Sequence, residues 1–301
     1  MNNFQDSGRP VLIRPTLGNK IATLLISVFV MMITVGLLNN LLAGSGLSER
    51  NSFLIGSALQ NIFAFIFPAY LTAFLFSRGA SEYLGLSTRL TSFQIAAALF
   101  FLVIIGPFLN LVIEWNASLH LPDSMSAVET SWREMEDNAA RISDTILRDS
   151  SWWGLISGIL FVGCLTGFAE EALFRGGLQK AFTMSGINQH VAVWAVAFIF
   201  SAVHLQFFGF VPRLILGAVF GYAYYYSGSL WVSAAMHAFN NSSVVVMQWL
   251  LARHVVSVNA DEVGTAGAGQ IWLAFASLIC GIGFIIVWRR YVKSVKNQRN
   301  G

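Results

Sequence analysis

Long apolar stretches separated by short polar breaks dominate the chain, and their lengths set the scale of the fold. Eight runs stand out, at 21–42, 53–76, 93–113, 157–182, 191–207, 214–226, 230–251 and 271–288. About 20 apolar residues in a helix rise roughly 30 Å, the thickness of a bilayer's hydrocarbon core. The pattern predicts an all-α, polytopic transmembrane helix bundle of about eight spans, forming one integral membrane domain over residues 1–301. The sixth run is short and the fourth is interrupted by charges. A 20-residue polar leader without a small-residue cleavage site precedes the first run, which reads as a retained span.

Composition supports this reading. Of 301 residues, 55% are hydrophobic and 11% charged, with mean hydropathy +0.64, against about 25% charge in a soluble domain. A water-soluble fold of this size cannot hide so much apolar surface. The 25 Phe, 9 Trp and 2 Cys exclude collagen-like, disordered and disulfide-scaffold chains. A pI near 9.0 raises the question of nucleic acid, but the basic residues form no phosphate-binding stripe, so the expected partner is the bilayer.

The basic residues choose an orientation. With eight spans both termini share one face, which collects Arg9, Arg14, Lys20, Arg78, Arg89, Arg175, Lys180 and the tail residues Arg289, Arg290, Lys293, Lys296 and Arg299, 12 of 18 in all. The positive-inside rule then makes both termini cytoplasmic, as expected for a prokaryotic cell membrane. Only one connection is long. Residues 114–151 hold eight acidic and three basic residues, and 128–147 read as a polar helix, either a solvated cap or a lid over a substrate entrance. Asn116-Ala-Ser118 has the pattern of a glycosylation sequon.

Ionisable residues inside spans are costly and point to function. They fall in three clusters: Glu170, Glu171 and Arg175 in the fourth run, His204 in the fifth, and His237 with Asn241 in the seventh. Glu171 and Arg175 stand at i,i+4 with the acid first, the favourable order for an intrahelical ion pair. Glu170 projects about 100° away and needs a partner from another helix. Glu170 lies 16 residues before Gly186 and His204 lies 18 after it, so an antiparallel hairpin puts the two at similar depth. His237 and Asn241 share one helix face. An acid, two imidazoles and an amide suit activation of water by a desolvated carboxylate and stabilisation of an oxyanion. Glu170, His204 and His237 also form a zinc-ligand set of the open catalytic type, although no H-E-x-x-H sequence occurs. A proton-coupled transporter would use the same residue types, but the chain lacks the internal repeat such folds show.

The joint set Glu170-Glu171-x-x-x-Arg175, Phe200-x-x-x-His204 and His237-x-x-x-Asn241 resembles the motifs of the CPBP family, the CAAX prenyl endopeptidases and bacteriocin-processing or immunity proteins also called the Abi group. The resemblance covers a motif-bearing core at about 157–251. It implies an intramembrane glutamate-type endopeptidase in which Glu170 activates water, assisted by His204. His237 and Asn241 would form an oxyanion hole, with Glu171 and Arg175 supporting the base. The substrate implied is a membrane-associated polypeptide, prenylated or bacteriocin-like, and no cofactor is required unless zinc is bound. The alternatives are a non-proteolytic immunity or peptide-binding membrane protein and a zinc-dependent form of the protease.

Glycines at G-x-x-x-G spacing (Gly154 and Gly158, Gly163 and Gly167, Gly217 and Gly221) predict close helix contacts, the first two pairs fixing the segment that carries Glu170. Trp115, Trp152, Trp153 and Trp288 read as interface anchors. Cys164 and Cys280 read as buried fillers.

Overall fold

In the computed structural model, residue 11 and residues 14–300 are described, apart from Arg89, Val258 and Asn259; side chains are described up to Arg290, except that of Ala43. Most of the predicted leader, Arg9, Arg89 and the side chains of the basic tail beyond Arg290 lie outside the described residues. Ten helices run in chain order: α1 Leu17–Ala43, α2 Glu49–Phe76, α3 Ala80–Leu84, α4 Ser92–Ala117, α5 Ser126–Leu147, α6 Trp152–Met184, α7 Gln189–Ala202, α8 Phe210–Ser227, α9 Leu230–Ala252 and α10 Ile271–Asn300. The described residues contain no strand, so the all-α polytopic architecture holds.

Local chemistry sets the helix ends. Side chains of Thr16, Ser48, Ser151 and Ser229 accept backbone N–H groups at the starts of α1, α2, α6 and α9, and Thr91 with Gln94 forms a reciprocal capping box on α4. Gly228, at φ +66°, makes the left-handed turn that reverses α8 into α9.

Among the described residues, six helices are long and apolar enough to cross a membrane: α1, α2, α4, α6, α8 with the turn before it, and α10. The other two expected spans fall short for different reasons. Helix α7 has 14 residues, about 21 Å at 1.5 Å per residue. Helix α9 has 23 residues, but its polar residues His237, Asn240, Asn241, Ser242 and Ser243 dilute its hydropathy. The protein is an integral membrane protein. Its exposed shell is apolar: Phe29 and Leu37 on α1 and Ile279 and Val287 on α10 are more than 60% exposed, as hydrocarbon-facing positions should be. Inside the bundle it buries polar side chains such as Asn61, Thr72, Glu171, Arg175 and Gln179.

Helix α6 lies along α9, α7 pairs with α8, α10 with α4 and α1 with α2. Three glycines of α6 set the α6–α9 spacing. A Cβ on Gly167 would sit 2.7 Å from the Ala238 backbone nitrogen, one on Gly158 would sit 2.7 Å from Val245, and one on Gly163 would overlap Ser242. The expected close approach is present, and the neighbour is the helix that carries His237. Gly154 serves the turn before α6 instead, facing Asp149.

Helix α6 is not a uniform α-helix. Its stretches Gly158–Leu165 and Ala172–Gln179 are π-helical, with an α-helical turn Thr166–Glu171 between them. A third π stretch, Gln60–Ile66, faces it from α2, and Asn61 Nδ2 donates to Thr166 Oγ1 at 2.8 Å. Wide turns of this kind concentrate at functional sites.

The polar connection is helical, as its pattern predicts, and α5 buries no residue. It rests against the α7–α8 connection, where Trp132 stacks on Phe207 with centroids 4.8 Å apart and Glu136 accepts from the Phe208 N–H at 2.7 Å. Arg50 on α2 ties down its far end, donating to the Ile146 and Gly154 carbonyls.

One sequence pattern takes on a structural role and one reading is corrected. Asn116 does not present a glycosylation site: its side chain is 1% exposed, donates to the Phe207 carbonyl and accepts from the Val211 N–H. It is a strut between α4 and the α7–α8 connection. Cys164 and Cys280 are exposed rather than buried fillers, because the outside of a membrane bundle welcomes the same apolar side chains as its core.

Candidate active site

The α-helical turn of α6 ends on Glu170 and Glu171, between the two π stretches. Glu171 is fully buried and forms the expected pair with Arg175, whose Nη1 donates to Glu171 Oε1 at 2.7 Å. The guanidinium also donates through Nη2 to the Gly217 carbonyl on α8 at 2.8 Å. Gln179, one further turn along, repeats this contact by donating to the Gly221 carbonyl at 3.0 Å. The G-x-x-x-G pair on α8 thus bares two carbonyls to two polar side chains of α6. A Cβ on Gly217 would meet Ala197 and Phe200 at 3.2 Å, so the same pair lets α7 approach.

The imidazole of His237 lies across both glutamates. Its Nδ1 is 2.9 Å from Glu171 Oε1 and its Nε2 is 3.6 Å from Glu170 Oε2. Glu170 and Glu171 diverge around the helix, yet an imidazole offers nitrogens on two edges of one ring, so a single histidine can face both. The partner of Glu170 from another helix is therefore His237 by direct contact. His204 stands further off, within electrostatic range of Glu170 and His237. The Glu170 side chain is 13% exposed while that of Glu171 is 0%, so Glu170 is the carboxylate open to an incoming molecule.

Two aromatic rings hold His237: Phe220 stacks on it at 4.8 Å and Phe200 meets it edge-on at 5.9 Å. The Arg175 guanidinium lies 5.0 Å from the centre of the same Phe200 ring. Phe200 also packs against His204 at 5.0 Å and accepts the His204 Nδ1–H on its carbonyl at 2.7 Å. Since a carbonyl only accepts, the neutral ring carries its proton on Nδ1 and presents Nε2 as a base.

His204 lies beyond the end of α7 rather than within a span, because the helix stops at Ala202. Leu205, with φ +54°, turns the chain immediately afterwards. A non-glycine residue in the left-handed region costs energy, and Ser201 holds this turn by donating to the Phe210 carbonyl at 2.6 Å. Asn241 is half-buried on α9 and donates through Nδ2 to the Val162 carbonyl at 3.3 Å, while Asn240 donates to Asn241 Oδ1 at 3.4 Å.

Three contributors escaped the sequence reading. Gln179 had a signal, the i,i+4,i+8 ladder from Glu171. Arg213, in the first turn of α8, lies within electrostatic range of Glu170 and Glu136, and its guanidinium donates to Gln206. Phe220 had no signal, since one phenylalanine among 25 is indistinguishable until the helices pack. Among the described residues no group of three or more His, Cys, Asp and Glu side chains is placed to hold a metal ion.

These features define a class: a polytopic helical membrane protein with a buried acid–imidazole site built by α6, α7, α8 and α9. Residues 152–243 match the family model described as type II CAAX prenyl endopeptidase Rce1-like, which supports the resemblance of its motifs to the CPBP family. The chain is also similar to "Uncharacterized protein YpbD" of Bacillus subtilis (strain 168), with 31% identity over 86 residues, covering 27% of this chain and 41% of that protein. The match thus spans well under half of the relative's length. No solved structure matches the chain.

Proposed function

We propose that the chain is an intramembrane endopeptidase of the glutamate type, cleaving a membrane-associated polypeptide in a prokaryotic cell membrane with both termini cytoplasmic. The observation that carries this reading is the His237 ring bracketed by two carboxylates, one sealed by Arg175 and the other open. Glu171 and Arg175 neutralise each other, so Glu171 fixes the ring without competing for substrate. Glu170 then removes a proton from water, assisted by His204. The water oxygen bonds to the scissile carbonyl carbon, and the carbonyl electron pair moves onto oxygen. His237 and the remaining Asn241 N–H stabilise that oxyanion. Collapse expels the amine, which takes the proton held by Glu170, leaving a carboxylic acid and an amine; proton exchange between these gives the carboxylate and ammonium products.

Glu170→Gln is expected to lower cleavage by about 10²–10⁴-fold, the usual worth of a general base, with the folded state intact in detergent. The same variant is the means of trapping the substrate, prenylated or bacteriocin-like. A phenotype that survives Glu170→Gln would favour peptide binding or immunity instead. Elemental analysis of active protein tests the zinc-dependent form, which requires about one zinc per chain.

A further inference from the structure

Away from the acid–imidazole site, a cavity of about 380 Å³ opens between α4, α8, α9 and α10. That volume is within the roughly 300–1,000 Å³ range of small-molecule sites. Its walls are graded. The deep end is apolar, formed by Phe101, Val219, Val232 and Met236, and the mouth carries Tyr222, Tyr226, His190 and Arg289. Along α8 the distance from Tyr226 to Val219 is seven residues, roughly 10 Å at 1.5 Å per residue.

We propose that this cavity binds one anionic phospholipid, with an acyl chain inserted between α8 and α10 and its phosphate against Arg289. Charge and shape carry the assignment. Arg289 donates to Tyr226 Oη at 2.8 Å and lies over that ring at 5.5 Å, which aligns the guanidinium at the mouth while leaving further N–H groups for a phosphate. His190 shares a hydrogen bond with Tyr222 Oη at 2.9 Å, so both tyrosines are anchored and the mouth is preformed. Residues 289–299 add four more basic residues and no acid, and such clusters at the cytoplasmic end of a membrane helix favour anionic lipid. A zwitterionic lipid would meet the same walls without matching this charge. The deep end also bears on the site. Met236 adjoins His237 in the chain, and Val219 adjoins Phe220, the ring stacked on that imidazole. A chain in the cavity therefore buttresses the packing around His237 from behind. This assignment stands independently of the peptidase reading.

The test is native mass spectrometry of the full chain released from nanodiscs containing phosphatidylglycerol or phosphatidylcholine with identical acyl chains, with inorganic phosphate as a third probe. Wild type is expected to retain one phosphatidylglycerol at least tenfold more than phosphatidylcholine and to retain no phosphate. Arg289→Gln should reduce that preference at least threefold, and Ala223→Trp, which fills the cavity, should abolish retention with an unchanged melting temperature. If Ala223→Trp fails to fold, the Arg289→Gln arm still decides the headgroup. Equal retention of the two lipids, an unchanged preference in Arg289→Gln, phosphate retention without lipid, or retention in folded Ala223→Trp would overturn the proposal.

Discussion

His237 Nδ1 lies 2.9 Å from Glu171 Oε1, and Arg175 Nη1 donates to that same oxygen from 2.7 Å. One carboxylate oxygen therefore orients the imidazole of α9 and accepts the guanidinium of its own helix. Because the carboxylate is fully buried, every group on it is strengthened by the low local dielectric, and each is costly to remove.

Replacing Arg175 by Met leaves the Glu171 charge buried without its cation. Breaking a buried ion pair on one side costs about 3–5 kcal/mol. Denaturation in detergent should show a loss of that order, and Glu171→Gln combined with Arg175→Met should recover part of it. A purely additive double variant would show that the two residues are not coupled.

Gly167 sets the distance between α6 and α9 beside His237. An added methyl would stand 2.7 Å from the Ala238 nitrogen and 3.0 Å from its Cα, and backbone cannot swing aside as a flexible side chain can. Gly167→Ala should destabilise by about 1–3 kcal/mol, the usual cost of overpacking. It should also lower kcat more than it changes KM, since the displaced group is His237. A Gly167→Ala enzyme with wild-type kcat would argue that the site tolerates a shifted α9.

Leu205 follows His204 in the left-handed region at φ +54°. Glycine adopts that conformation without strain, so Leu205→Gly should offset about 1 kcal/mol of strain, partly countered by the entropy glycine adds to the unfolded chain. The expected melting temperature is equal to or slightly above wild type. A clear loss would show that the exposed leucine side chain is itself held by contacts in the membrane.

Glu129, at the start of α5 and outside the spans, accepts the Leu121 N–H at 2.7 Å and lies beside Arg133 and His120. The backbone N–H foremost, then Arg133, holds its carboxyl down at about 2. A lowered folded-state value means that its stabilisation is fully present above the ordinary value of 4.5 and is lost as pH falls through about 2. Hydrogen exchange at Leu121 should therefore stay protected down to pH 4.5 and weaken below it. Glu129→Gln should expose that amide already at neutral pH, and unchanged protection would deny the carboxylate this role.

How much was legible in the chain differed between fold and site. Six of the eight expected spans followed from run length, because hydrocarbon thickness imposes one scale on every crossing helix. The Glu171–Arg175 pair followed from i,i+4 spacing, a relationship local to one helix. The helical nature of 126–147 followed from its pattern in the same way. Partners across helices were harder. Depth counting brought His204 towards Glu170, but the direct contact belongs to His237, since rotation about each helix axis and the π turns of α6 are set by packing. The Asn116 sequon shows the same limit, a surface pattern in sequence that became a buried strut.

The sequence by itself determined a membrane-embedded helical bundle and the few polar residues that matter within it, because each costly charge in an apolar run stands out against its neighbours. Tertiary structure alone decided which of those residues touch, that Glu171 is sealed while Glu170 is open, and that Phe220 holds the imidazole. Those outcomes depend on how closely α6, α8 and α9 approach at their glycines, and close packing has no local signature in the chain.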